Sequence, residues 1–277
     1  MLDGISASLG PEASATTRAT LIALAVLGSV RALRWGGVLS TRMARKALHC
    51  LIGPVFVMCW VLWPSGAASG VWAAVVPLGI VGFFALVGTG AVSDPGTVAI
   101  MARSGLAREL LVGPAEYGIV CAAVTACAFR SLFALVVLSA LFSGDAAAEV
   151  AGMAVQSAVA RTKRRGGALA LLAAPPFPGA APRKSLAGTL AFASATFAGV
   201  VGMLGLGLRA GWPWVLALAA PHAHAPFLPL AVAGAGAMGG AVAEALTTSD
   251  HDNVTGPAGA AVAAIAASFC VGLPLLA

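Results

Sequence analysis

Four short segments of this 277-residue chain gather the residue types that chemistry requires. The first, RKALHCLIG, runs from Arg45 to Gly53. Arg45 and His49 stand four apart, so they share a helical face, and Lys46 adds a second cation. These groups suit phosphate oxygens, although cations that snorkel at a membrane surface give the same pattern. The second segment, SGDAAAEVAG, places Asp145 and Glu149 at i and i+4 directly after an apolar run. Like charges at that spacing repel, so a divalent metal or a Lys/Arg partner is the physical expectation; two solvated carboxylates at a helix end are the bland alternative. The third, RKSLAGTLA, sets Arg183, Lys184 and Ser185 at the start of an apolar helix, whose first amides attract anions. Phosphate is the natural guest there. The fourth, EALTTSDHDNVTGP, closes one apolar run at Glu244 and opens the next after Asp252 and Asn253. Carboxylate, amide and hydroxyl groups together suit a hydrated Mg²⁺ or a ribose, or simply a solvated turn.

The elements that must position these groups are membrane helices. Some 60% of the residues are hydrophobic and 9% are charged, with 34 glycines and a mean hydropathy of +0.95. A soluble domain carries about 25% charged residues. The composition therefore excludes a soluble globular enzyme, a disordered chain and a disulfide scaffold. The net charge of +6 resides mostly in short segments between apolar stretches, and no basic-aromatic pattern suggests nucleic acid. The five cysteines (Cys50, Cys59, Cys121, Cys127 and Cys270) lie within apolar stretches and read as buried free thiols. The first 18 residues carry Asp3 and Glu12 but only Arg18 as a base, unlike a signal or transit peptide.

Spanning the bilayer takes about 20 apolar helical residues. Residues 21–30 form a weak first span, followed by spans near 47–63 and 71–92. Runs at 117–129 and 131–142 flank Arg130; residues 186–208 form a clean span; residues 228–246 follow the PHAHAP break, and a last span starts near Pro257. The expectation is an all-α polytopic membrane protein with seven or eight transmembrane helices. It has an N-terminal tail at 1–18 and one membrane-embedded domain at 19–277, with a loop insertion at 156–182. On that threading, Arg31, Arg34, Arg42, Arg45, Lys46, Arg103, Arg108, Arg161, Lys163, Arg164, Arg165, Arg183 and Lys184 share one face with most of the acidic residues. Such a bias marks the cytosolic or stromal side.

Three motif matches carry no function. Gly234–Gly239 fits G-x-G-x-x-G but lies inside an apolar span with no strand before it, so close helix packing through Gly236 and Gly240 is expected instead. Gly179–Ser185 has Arg183 where a phosphate-binding loop needs its second glycine. Asn253-Val254-Thr255 is a glycosylation sequon on the face where glycosylation is not expected.

Cations and carboxylates gathered on one face are what phosphoryl transfer needs, since positioning and charge stabilisation supply most of its catalysis. RKALH, Arg103 with Arg108-Glu109-Leu110, Gly113-Pro114 and Tyr117, GDxxAE, KSLAGT and E-x-L…DN-x-T-x-P occur in that order. Together they resemble the phytol kinase and farnesol kinase family of polyprenol kinases, relatives of dolichol kinase, from about Arg45 to Pro257. The family's G-D-G-x-A-D reads Gly144-Asp145-Ala146-Ala147-Ala148-Glu149 here; Met153 replaces an arginine and Gly256 a valine.

The resemblance implies a membrane kinase that transfers the γ-phosphate of a nucleoside triphosphate, CTP by preference, to the hydroxyl of an isoprenoid alcohol. Phytol would give phytyl phosphate for tocopherol synthesis in a plastid (chloroplast) membrane. It also implies Mg²⁺ as cofactor, ligated by Asp145 and Glu149, and Asp145, Glu149 and Lys184 as catalytic residues. Arg45, Lys46, His49, Ser185, Asp252 and Asn253 would bind nucleotide or phosphate. Its partners would be an alcohol drawn from the bilayer, membrane lipid and the nucleotide, with no nucleic acid. A farnesol or geranylgeraniol kinase, a cytidylyltransferase that makes a CDP-lipid, and a non-enzymatic transporter are the alternative readings. A cytidylyltransferase would call for paired aspartates around an arginine near the last spans, yet no arginine lies beyond Arg209.

Overall fold

A computed structural model of the chain describes residues 10–162, 167–222, 225, 227–248 and 251–273, apart from the side chain of Asp252. Among these residues there is no strand, and eight helical segments are long and apolar enough to cross a membrane. The chain is an all-α polytopic membrane protein. It divides into two compact units, Met1–Arg130 and Ser131–Ala277, where the sequence had suggested a single domain.

The first unit holds α1 (Pro11–Trp35), α2 (Thr41–Met58), α3 (Ser69–Gly88), the short α4 (Pro95–Met101) and α5 (Gly113–Ala128). Pro11 opens α1, where its missing N–H costs nothing, so residues 11–18 form the first turns of a span rather than a tail. Ser40 caps α2 by accepting from Met43 N, which carries that helix six residues further upstream than the hydrophobic run suggests. Small residues let helices approach: a side chain at Gly118 on α5 would collide with Val81 on α3. Two polar devices tie the ends. Arg31 of α1 makes a bidentate pair with Asp94, both contacts at 3.1 Å, while Asp94 accepts from Thr97 N and Oγ1 to cap α4. Partial burial opposes ionisation of Asp94. The hydrogen bonds from Thr97 and Arg31, with the Arg31 charge, outweigh it and hold the carboxyl below its ordinary range. At the other end Arg130, with φ 61°, turns its guanidinium onto the carbonyls of Trp60, Trp63 and Pro64. A cation there satisfies carbonyls that the end of a helix leaves open.

The second unit begins with a continuous helical rod. It consists of α6 (Leu132–Ser139), a π-helical turn (Ala140–Gly144) and α7 (Asp145–Thr162). The apolar run ends at 142, but the helix that carries Asp145 and Glu149 does not. It continues because the next residues are alanine-rich and no proline interrupts them. The short α8 (Ala168–Ala173), α9 (Leu186–Ala210), the short α10 (Pro213–Ala219), α11 (Phe227–Leu246) and α12 (Asp252–Val271) follow. α12 starts five residues before Pro257, which sits early enough in the helix to forgo a single hydrogen bond.

The expected insertion at 156–182 is shorter than its boundaries. Its first seven residues are helical in α7, and Leu186 N donates to Ala174 O at 2.8 Å, tying its far end to α9. The basic run Lys163, Arg164 and Arg165 lies outside the described residues, as do Asp250 and part of the PHAHAP segment.

Phe192 of α9 is the hub of this unit and is fully buried. Gly144, Gly240 and Gly256, from three different segments, leave room for its ring; a Cβ at any of them would lie 2.9–3.0 Å from a ring carbon. α11 and α12 meet along a seam of glycines and alanines. A Cβ at Gly239 would come 2.7 Å from Gly259 O, and one at Gly259 2.6 Å from Gly239 O. The glycine pattern near 234–240 is therefore helix packing.

Candidate functional site

In the second unit, three sequence-marked segments converge on the beginning of α9. Ser185 is its N-cap: the hydroxyl accepts from Gly188 N at 3.2 Å, and the residue is buried. That end packs on the second turn of α7. A Cβ added at Gly188 would lie 3.1 Å from Ala148 O, and one at Gly152 would lie 3.3 Å from Ser185 Oγ. Glu149 sits between those two contact points in sequence. Glycine at 152 and 188 thus brings the carboxylate-bearing helix and the lysine-bearing helix start together. Asp145 and Glu149 are both half-buried, one helical turn apart.

Lys184 takes a partner that the sequence did not reveal. Its Nζ lies 2.6 Å from Glu244 Oε1, with only 16% and 6% of the two side chains exposed. Glu244 sits two residues before the end of α11. Two further contacts hold the same chain end: Ala181 N donates to Ala245 O at 2.8 Å, and the Arg183 guanidinium donates to Thr248 O at 3.4 Å. Thr247 Oγ1 lies 2.6 Å from Thr255 Oγ1, which links the end of α11 to the first turn of α12. Asn253 is half-buried in that turn, and the side chain of Asp252 lies outside the described residues. Glu244 had stood in the sequence as a conspicuous carboxylate at the end of a span. Its pairing with Lys184, sixty residues away, leaves no local signal.

Arg45, Lys46 and His49 belong to the first unit, on the first half of α2, all half-buried. The Lys46 ammonium is shielded from solvent. The His49 ring lies 4.8 Å from that of Tyr117, whose hydroxyl donates to His49 O at 3.2 Å. Sequence analysis had placed both residues in one family pattern without joining them. Glu109 of that pattern caps backbone instead: its carboxylate accepts from the amides of Arg103 and Ser104.

The donor set of the second unit fits one kind of metal. No cluster of three or more His, Cys, Asp or Glu side chains could cage an ion among the described residues. Asp145 and Glu149 supply two carboxylates at most. Mg²⁺ is commonly held by one or two carboxylates plus substrate phosphates and water, so the pair fits a Mg²⁺ that arrives with a nucleotide.

No family model matches the chain, and no solved structure matches it. Curated relatives do. A chloroplastic farnesol kinase of Arabidopsis thaliana is 36% identical over 137 residues, 48% of this chain and 44% of its own length. A probable phytol kinase 2, chloroplastic, of Oryza sativa subsp. japonica is 32% identical over 209 residues, 72% of this chain and 62% of its own. Phytol kinase 1, chloroplastic, of Arabidopsis thaliana is 30% identical over 154 residues, 52% and 48% of the two chains. The chain spans about half the length of the curated relatives it matches.

Proposed function

Starting from the chain's homology with the phytol and farnesol kinases, we propose that it is a membrane kinase for long isoprenoid alcohols. Phytol is the first-choice acceptor and CTP the first-choice donor, in a plastid membrane. The alcohol oxygen attacks the γ-phosphorus, the bond from that phosphorus to the β–γ bridging oxygen breaks, the nucleoside diphosphate leaves with the electron pair, and the hydroxyl proton passes to water. The observation that carries this reading is the buried start of α9, where Ser185 and Gly188 lie against the turn of α7 that carries Glu149 and the adjacent Lys184 pairs with Glu244.

Each residue then has a task. Asp145 faces the donor phosphates and, with Glu149, would hold Mg²⁺, whose charge offsets that of the phosphate oxygens when it is bound. Glu149 orients the alcohol hydroxyl. Lys184 offsets charge on the group in transfer, and the positive end of the α9 dipole favours an anion. Asp252 and Asn253 contact the nucleotide, and Arg45, Lys46 and His49 form a further phosphate-binding group. Apolar helices give a lipid alcohol a route from the bilayer that a soluble kinase lacks.

The deciding experiment is label transfer by purified protein in detergent. Phytol, farnesol and geranylgeraniol are each offered with CTP, ATP, UTP or GTP labelled at the γ-phosphate, with and without Mg²⁺. Labelled lipid from the γ-position supports the kinase. Label entering lipid only from the α-phosphate would replace it with cytidylyl transfer.

A further inference from the structure

We infer that Glu244 is the positioning residue for Lys184: through a buried ion pair it fixes the ammonium at the mouth of α9. The inference rests on the kinase reading for its catalytic consequence and on geometry for the rest.

A carboxylate and an ammonium this far from water lose hydration worth several kcal/mol per ion, and their pairing has to offset that loss. For stability alone two apolar residues would serve as well. The pair also spans the connection between two long helices. Lys184 lies in the three-residue approach to α9, which on its own has only side-chain torsions to place the Nζ. An amide hydrogen bond from Ala181 to Ala245 O and a side-chain contact from Arg183 to Thr248 O hold the chain just before Lys184 to the end of α11. The 2.6 Å contact then removes the remaining freedom of a four-carbon side chain. A preset cation needs no reorganisation when charge builds on the group in transfer. Glu244 is too close to Lys184, and too well shielded, to be read first as a ribose or metal ligand, the role its place in the sequence had suggested.

This assignment alters how a Lys184 variant is interpreted. Removing the lysine alone takes a close cationic partner from a buried carboxylate, which destabilises the fold and imitates loss of catalysis. Neutralising both residues separates the two effects.

The test uses full-length protein in detergent: wild type, Glu244→Gln, Glu244→Asp, Lys184→Met and the double variant Lys184→Met/Glu244→Gln. Two readouts are taken on folded, monodisperse protein. One is the rate at which an amine-reactive acetylating reagent modifies Lys184, followed by peptide mass spectrometry. The other is kcat and KM for donor and alcohol. Glu244→Gln is expected to raise Lys184 reactivity several-fold and to lower kcat by about 10–100-fold, the range a small misplacement produces. KM should change little, and Glu244→Asp should restore part of kcat. In the Lys184→Met background Glu244→Gln should cost no further activity while restoring thermal stability.

Unchanged Lys184 reactivity in Glu244→Gln overturns the inference, as does an equal loss of kcat from Glu244→Gln whether or not Lys184 is present. If the wild type phosphorylates no alcohol, the kinase reading fails, and the reactivity measurement still decides whether Glu244 holds Lys184. Should Glu244→Gln not fold, Glu244→Asp supplies the same comparison.

Discussion

The proposed mechanism puts most of its chemistry on two carboxylates of one turn of α7, and their roles are separable. Asp145→Asn keeps the shape of the side chain and removes its charge, so kcat should fall by ~10²–10³ with normal membrane insertion. A Mg²⁺ titration of the same variant should shift to higher metal. A wild-type rate with unchanged metal dependence would return Asp145 to the status of a solvated helix end. Glu149→Asp shortens the side chain to the residue usual in the family pattern, and activity should be retained or should rise. At this scale the sequence was informative about residues close along the chain. The i, i+4 spacing of Asp145 and Glu149, and the cap at Ser185, are both local. The ion pair of Lys184 with Glu244 was not legible, because a sequence separation of 60 and a helix crossing decide it.

Helices and their ends set where those residues stand. The π turn at Ala140–Gly144 matters because it immediately precedes Asp145 and accommodates Phe192 through Gly144. A single π turn inside an α-helix shifts every later side chain around the axis, and such turns recur at functional sites. Gly144→Ala would place a methyl against Thr196 and Phe192. We expect it to destabilise the fold by about 1–3 kcal/mol, the cost of overpacking a well-filled core, and to lower activity by turning Asp145 and Glu149 away. Thermal melting and label transfer measured together check this.

Asp94 offers a second test at the same scale. Its carboxyl titrates below its unfolded value near about 3.9, so the stability it contributes is present above that pH and disappears as pH falls through the lower folded value. Asp94→Asn should lower the melting temperature at pH 7. It should also flatten the loss of stability on acidification below about pH 4, as read by melting between pH 7 and pH 3. Element limits were the least legible part of the fold. Apolar runs mark where lipid can lie, and α1, the rod through α7, and α12 all continue past the end of theirs because nothing in the backbone stops them.

For the whole molecule, composition dictated the class. Low charge and long apolar runs leave helices as the one open way to satisfy the backbone in lipid, and eight spans follow. The division into two units was not legible, since it depends on which helices contact which. Sidedness within the second unit is a prediction of the threading. Single cysteines placed at Thr162 and Thr248, in a variant without native cysteines, should react with an impermeant reagent from one side of sealed vesicles, and one at Gly211 from the other. Labelling of 162 and 248 from opposite sides would separate Lys184 from its proposed donor.

The seam between α11 and α12 has a consequence for motion. Backbone touches backbone at Gly239 and Gly259, so the contact contains no rotamers to switch and no gap for an acyl chain. The two helices therefore travel as one rigid plank. If this unit takes an isoprenoid alcohol from the bilayer, as proposed, the alcohol does not enter along this seam.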